Sequence, residues 1–156
     1  MKRVLRVLVL SVLVLGVLIQ FIPYGRDHSN PTSRDEPKWD KPETRALAKR
    51  ACFDCHSNET VWPWYSHVAP MSWLVRHDVE EGRSEVNFSE WSKPQDEADK
   101  AAKMVRKERM PLRKYLLMHP DARLSAAERD ALASGLDATI GVRGPAKKVT
   151  EQELGN

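Results

Sequence analysis

The chain has 156 residues, with 25 Lys+Arg against 22 Asp+Glu, two cysteines and a formal charge of +3. Lys2, Arg3 and Arg6 account for that excess, because without them the 25 basic residues fall to 22, equal to the 22 acids, all of which lie in residues 24–156. A neutral body excludes the plain reading of a basic chain as a nucleic-acid binder, which needs a cationic surplus on its folded part to release phosphate counterions. Two cysteines exclude a disulfide framework, and the length fits one ordinary domain.

The first 23 residues read as a signal anchor or signal peptide. After a basic n-region, Val7 to Ile22 is apolar except for Ser11, Gly16 and Gln20, and Pro23 closes the run. Counted from Val4, the segment reaches about the minimum length that spans a ~30 Å hydrocarbon core, with Arg6 snorkelling to the headgroups. Gln20 to Gly25 offers no small-residue cleavage pattern, so an uncleaved anchor is expected, with cleavage as the alternative. The positive-inside rule then leaves the N-terminus in the cytoplasm and places residues 24–156 on the extracytoplasmic side of a bacterial membrane, or in the periplasm after cleavage.

Residues 24–41, with Gly25, Pro31, Pro37 and several charges, have linker composition. A helical domain is predicted over residues 42–140. Pro42 or Glu43 opens the first helix, which runs into the cysteines. The second is expected from Pro70 to a stop at Gly82, with Met71, Leu74, Val75 and Val79 on one face. The third runs from Pro94 or Gln95 to Lys107. Ser125-Ala-Ala-Glu128 is a capping box for the fourth, which carries Ala131, Leu132, Leu136 and Ile140. No alternating stretch suggests a strand, and residues 141–156 read as a flexible tail. The fold class is all-α.

Both cysteines fall in one string, Cys52-Phe53-Asp54-Cys55-His56. In an exported chain CxxCH is the attachment pattern of haem c: two thiols three positions apart on a helical turn reach the two vinyl groups of one porphyrin, and the next imidazole lies under the iron. A closed zinc site lacks its remaining ligands, since no second CxxC or HxxxH pair exists. A thioredoxin-like pair would need strands around it, and a bare CxxC disulfide would not call for His56. Met110, followed by Pro111 and late in the chain, is the candidate distal ligand, because a thioether on a loop can approach the open face of the iron. Met71 shares a helix face with Leu74 and Val75 and reads as core; Met104, Met118, His67, His77 and His119 are weaker rivals. Trp62, Trp64 and Tyr65, together with Trp73, are suited to cover a porphyrin and to hold a propionate, although aromatics also build the core of any small domain.

The run from Cys52 to Thr60, the Trp62-Pro63-Trp64-Tyr65 string, residues Ala69 to Val75 and Asn87 to Trp91, Met110-Pro111, and the stretch from Tyr115 to Leu124 together resemble the small bacterial haem-binding domain family, which is similar to cytochrome c. The likeness covers about residues 40–140. It implies a cytochrome c-like helical domain with one covalent haem c on Cys52 and Cys55, His56 as proximal ligand and Met110 as distal ligand. The family loop reads Met-Pro-Pro, where this chain has Leu112 third.

These features point to a membrane-anchored mono-haem protein that passes single electrons, more an electron carrier than an enzyme. The alternative is a haem-based sensor or small-ligand module with a weak or vacant distal position. Lys100, Lys103, Arg106, Lys107, Arg109, Arg113 and Lys114, opposed only by Glu108, flank Met110. They form either a positive rim for an acidic redox partner or a solvated helix face.

Overall fold

The structure, a computed structural model, describes residues 1–142, so positions 143–156 of the expected tail lie outside the described residues. It is helical, as expected: α1 is Lys2–Leu18, α2 Pro42–Ala51, α3 Phe53–His56, α4 Met71–Glu85, α5 Ala101–Arg106, α6 Arg113–Leu116 and α7 Ala126–Val142. Among the described residues the sole β feature is an isolated bridge between Asp35 and Glu90. The chain divides into two compact units, residues 1–29 with 61–78 and residues 30–60 with 79 onward.

In the first unit, α1 continues through a 3-10 turn at Ile19–Phe21. The stretch Lys2–Phe21 is long and apolar enough to cross a membrane, and none of it is buried. The Gln20 side chain fastens the end of this stretch: its Nε2 donates to the Ala69 carbonyl at 3.0 Å and its Oε1 accepts from the Ala69 N–H at 3.0 Å. Gly25 turns the chain with φ +78°, and its backbone passes so close to α4 that a Cβ would lie 2.6 Å from the Ser72 carbonyl oxygen. Only glycine meets both demands.

The second unit holds an apolar core. Leu132, Ala133, Leu136 and Ile140 of α7 are buried with Ala102 and Val105 of α5, Ala48 of α2, and Phe53, Val86 and Phe88. Full burial of Leu132 and Leu136 contributes roughly 2–3 kcal/mol each. Ser125 and Glu128 form the expected capping box: the Ser125 N–H donates to Glu128 Oε2 at 2.8 Å and the Glu128 N–H to Ser125 Oγ at 3.2 Å. The Ser125 N–H and the Arg50 guanidinium hold the Glu128 carboxyl down to about 2.

Three features differ from the expectations drawn from the sequence. Helix α4 does not stop at Gly82 but runs to Glu85, because Gly82 serves a close approach and not a cap. The third helix does not begin near Pro94; it starts as a 3-10 turn at Ala98 and becomes α5 at Ala101. Gln95 is spent on the preceding loop, accepting the Asn87 N–H at 2.7 Å and donating to the Glu90 carbonyl at 2.8 Å. Residues 30–41 have no helix, as linker composition predicts, yet they are pinned: the Asp35 N–H donates to the Ser89 carbonyl at 3.0 Å, and Trp39 packs 5.2 Å from Phe88.

Candidate functional site

Cys52 is a hinge between two helices. Its N–H closes α2 on the Ala48 carbonyl at 2.8 Å, and its carbonyl opens α3 by accepting the N–H groups of Cys55 at 3.2 Å and His56 at 2.9 Å. This single turn brings Cys52, Cys55 and His56 together, with the two thiols at i and i+3 and therefore neighbours on one helical face. Neither is in a disulfide, and both are half-buried. Burial pushes the Cys52 thiol up to about 12, with a smaller contribution from Cys55. That is the reverse of a thiol-redox pair, whose attacking cysteine is a stabilised thiolate.

The His56 ring is oriented by backbone. Its Nδ1 lies 3.1 Å from the Val86 carbonyl oxygen. A carbonyl only accepts, so Nδ1 carries the proton and the Nε2 lone pair is left for a metal. Loss of hydration moves the His56 pKa down, outweighing the carbonyls of Val86 and Gly82, so the ring is held neutral, the form that ligates. The His56 carbonyl in turn accepts the Phe88 N–H at 2.8 Å. A Cβ at Gly82 would stand 2.5 Å from the Cys55 carbonyl oxygen, so the α4 backbone lies directly on the cysteine turn.

A buried polar network, whose role sequence reasoning missed, fixes the loop after the motif. Ser57, Asn58, Asn87, Ser89 and Gln95 are all buried. Asn87 Nδ2 donates to Asn58 Oδ1 at 3.0 Å, and the Asn58 N–H donates to Ser89 Oγ at 3.0 Å. Arg83 donates from Nε to the Ser57 carbonyl at 2.8 Å and from Nη2 to Thr60 Oγ1 at 3.0 Å. Thr60 Oγ1 itself donates to the Asp54 carbonyl at 2.7 Å. Leaving one such buried group unpaired costs about 1–3 kcal/mol. Every one of these residues except Arg83 and Gln95 lies in the strings that carry the family resemblance, and that was the signal through which they could have been found.

Met110 is half-buried and follows a turn at Glu108, where φ is +54° and the carboxylate pairs with Arg129 at 3.1 Å. The segment after it returns to the motif: Tyr115 Oη donates to Asp54 Oδ2, between the two cysteines, at 2.6 Å, and His119 stacks on Tyr115 with ring centroids 4.0 Å apart. Of the basic stretch around Met110, Lys100 pairs with Glu97 and Arg106 with Asp137, each at 2.5 Å. Lys103, Lys107, Arg109 and Arg113 are exposed. Trp62, Trp64 and Tyr65 belong to the other compact unit; Trp64 is exposed, and the indole N–H groups of Trp62 and Trp73 are buried without an acceptor among the described residues.

A family model described as a haem-binding domain matches residues 14–138, most of the chain. No curated protein and no solved structure matches it.

Proposed function

The chain belongs to the haem-binding domain family, and on that premise we propose that it is a membrane-anchored, mono-haem c-type protein that passes single electrons on the extracytoplasmic side. The observation that carries this reading is the His56 ring, whose Nδ1 is committed to the Val86 carbonyl so that Nε2 is presented as a ligand. Two cysteines on the same turn, neither of them in a disulfide, suit Cys52 and Cys55 to hold the porphyrin as thioethers.

When bound, the haem supplies an iron that alternates between ferric and ferrous states. The protein sets the rest. Val86 and Gly82 orient the proximal imidazole, and the Ser57–Thr60 network holds the cysteine turn rigid. The Tyr115–Asp54 hydrogen bond brings the segment just after Met110 to the motif, which supports Met110 as distal ligand. Trp62, Trp64 and Tyr65 keep their proposed role as aromatic cover on the strength of their place in the sequence. The exposed Lys103, Lys107, Arg109 and Arg113 form the rim for an acidic redox partner, an interaction that weakens with salt. The apolar Lys2–Phe21 stretch is the anchor, with Lys2, Arg3 and Arg6 on the cytoplasmic side.

A pyridine haemochrome spectrum of the purified full-length protein tests the covalent cofactor, and absence of thioether-linked haem overturns the proposal. The reduced spectrum with and without carbon monoxide then separates electron carrier from sensor. A low-spin spectrum that ignores the gas is expected, and Met110→Ala should make the iron gas-reactive. Rapid gas binding by the parent protein favours the sensor.

A further inference from the structure

In the first compact unit, the outer end of the apolar stretch forms one wall of a cavity of about 350 Å³, lined by Gln20, Ile22, Arg26, His28, His67 and Ser72. At ~30 Å³ per water molecule, that volume holds on the order of ten waters, room for a small polar headgroup. No acid lines it. The nearest in sequence, Asp27, is engaged by Arg76, whose Nη1 lies 3.4 Å from Asp27 Oδ2, and by the Ser29 N–H at 2.8 Å.

The walls are fixed. Gln20 is locked on both backbone groups of Ala69, and His28 Nε2 bonds the Ser66 carbonyl at 2.9 Å. The second histidine ring, His67, meets the His28 ring at 4.2 Å between centroids. The Trp62 ring also packs on His28, 4.8 Å away, and its buried indole N–H has no acceptor among the described residues. The Arg26 guanidinium and the His67 imidazole thus both line the cavity, where an acceptor-rich anion would pair with them. Around this polar cluster the same unit exposes Phe21, Ile22, Val68 and Met71. Exposed apolar groups beside a cationic pocket, at the end of a helix of membrane-spanning length, match the boundary between acyl chains and headgroups.

We propose that this cavity binds the phosphate headgroup of an anionic membrane phospholipid, with Arg26 as its charged contact. The proposal rests on the membrane-anchor reading above. Its consequence is that the first unit is seated on the bilayer surface, not merely tethered above it.

The test uses the full-length protein. A carbonate wash of the membranes comes first: release of the chain overturns the anchor and the headgroup site together. If the chain is retained, the purified protein is equilibrated with phosphatidylglycerol and examined by native mass spectrometry. The parent should hold one such lipid per chain. Arg26→Gln with His67→Gln should lower the retained fraction about tenfold or more, the scale of one lost charge-assisted contact. Arg26→Lys, which keeps the charge, should largely restore it. Both variants should keep the parent's haem content and carbonate resistance, because these side chains lie outside the cysteine turn. Equal retention by parent and double variant, equal retention of phosphatidylcholine, or displacement of the lipid by inorganic phosphate at similar concentration would each overturn the headgroup site while leaving the anchor standing.

Discussion

Gly82→Ala sets two effects of similar size against each other. Replacing a glycine inside a helix with alanine normally stabilises it by about 1 kcal/mol, because less backbone entropy is lost on folding. At this position the new Cβ would lie 2.5 Å from the Cys55 carbonyl oxygen and 3.0 Å from its carbonyl carbon and Cβ. That is about 1 Å short of an ordinary contact distance of roughly 3.5 Å. The nearest atoms belong to backbone, so no rotamer change relieves the clash, and either α4 or the cysteine turn must move. Overpacking of this kind costs about 1–3 kcal/mol, and a contact this short against backbone falls toward the upper end of that range, so the clash wins and the net expectation is a loss of up to about 2 kcal/mol. The displacement falls on Cys55 and on the Gly82 and Val86 carbonyls that face His56, so haem incorporation should drop with stability. Urea denaturation followed by far-ultraviolet circular dichroism gives the first quantity and a haemochrome assay the second. Gly141→Ala is the control: among the described residues, apart from its chain neighbours and its own helix backbone, no atom stands within 4 Å of the point its Cβ would occupy, and it should be neutral or stabilising by up to about 1 kcal/mol. A Gly82→Ala protein as stable as its parent, with full haem content, would refute the reasoning.

Three further outcomes follow from the same geometry. Tyr115→Phe removes the 2.6 Å hydrogen bond to Asp54 and should cost about 1–2 kcal/mol; it should also raise the carbon monoxide reactivity of the reduced protein by loosening the Met110 segment, and an unchanged spectrum in the gas would show that this tether does not position the distal side. The Glu128 carboxyl, held down to about 2 by the Ser125 N–H and by Arg50, contributes stability that is complete above the ordinary carboxylate range and is lost as pH falls toward 2. Thermal melts of parent and Glu128→Gln should therefore converge as the pH is lowered through that window, and parallel curves would contradict it. In protein produced without haem attachment, Cys52, pushed up to about 12, should be alkylated by iodoacetamide far more slowly at pH 8 than a free cysteine, and fast labelling would mean that the thiol is not desolvated.

What the sequence made legible was local. The capping box at Ser125 and Glu128 could be read because its two hydrogen bonds join residues three apart. The CxxCH turn could be read for the same reason, since one helical turn sets the spacing of Cys52 and Cys55. The misreadings concern partners beyond a single helical turn, most of them distant along the chain. Gly82 looks like a helix stop until Cys55 is laid against it. Trp39 sits in a stretch of linker composition, and its packing depends on Phe53 and Phe88. Asn58, Asn87 and Gln95 carry no mark that separates a buried polar group from a surface one; only the pairing of their amides shows it.

The site itself divides along this line. In the proposed haem site, residue identity at positions 52, 55 and 56 specifies the chemistry. The direction in which the His56 imidazole presents its lone pair is decided by the backbone carbonyl of Val86, a group every residue possesses. No residue type at position 86 could have announced that role. The carbonyl is in place because the Val86 side chain is buried in the second unit's core and because α4, continuing past Gly82, delivers the chain there. In the proposed site the orientation of the His56 ring is thus a property of core packing, and a substitution that disturbs the packing of Val86 should alter haem binding without changing Cys52, Cys55 or His56.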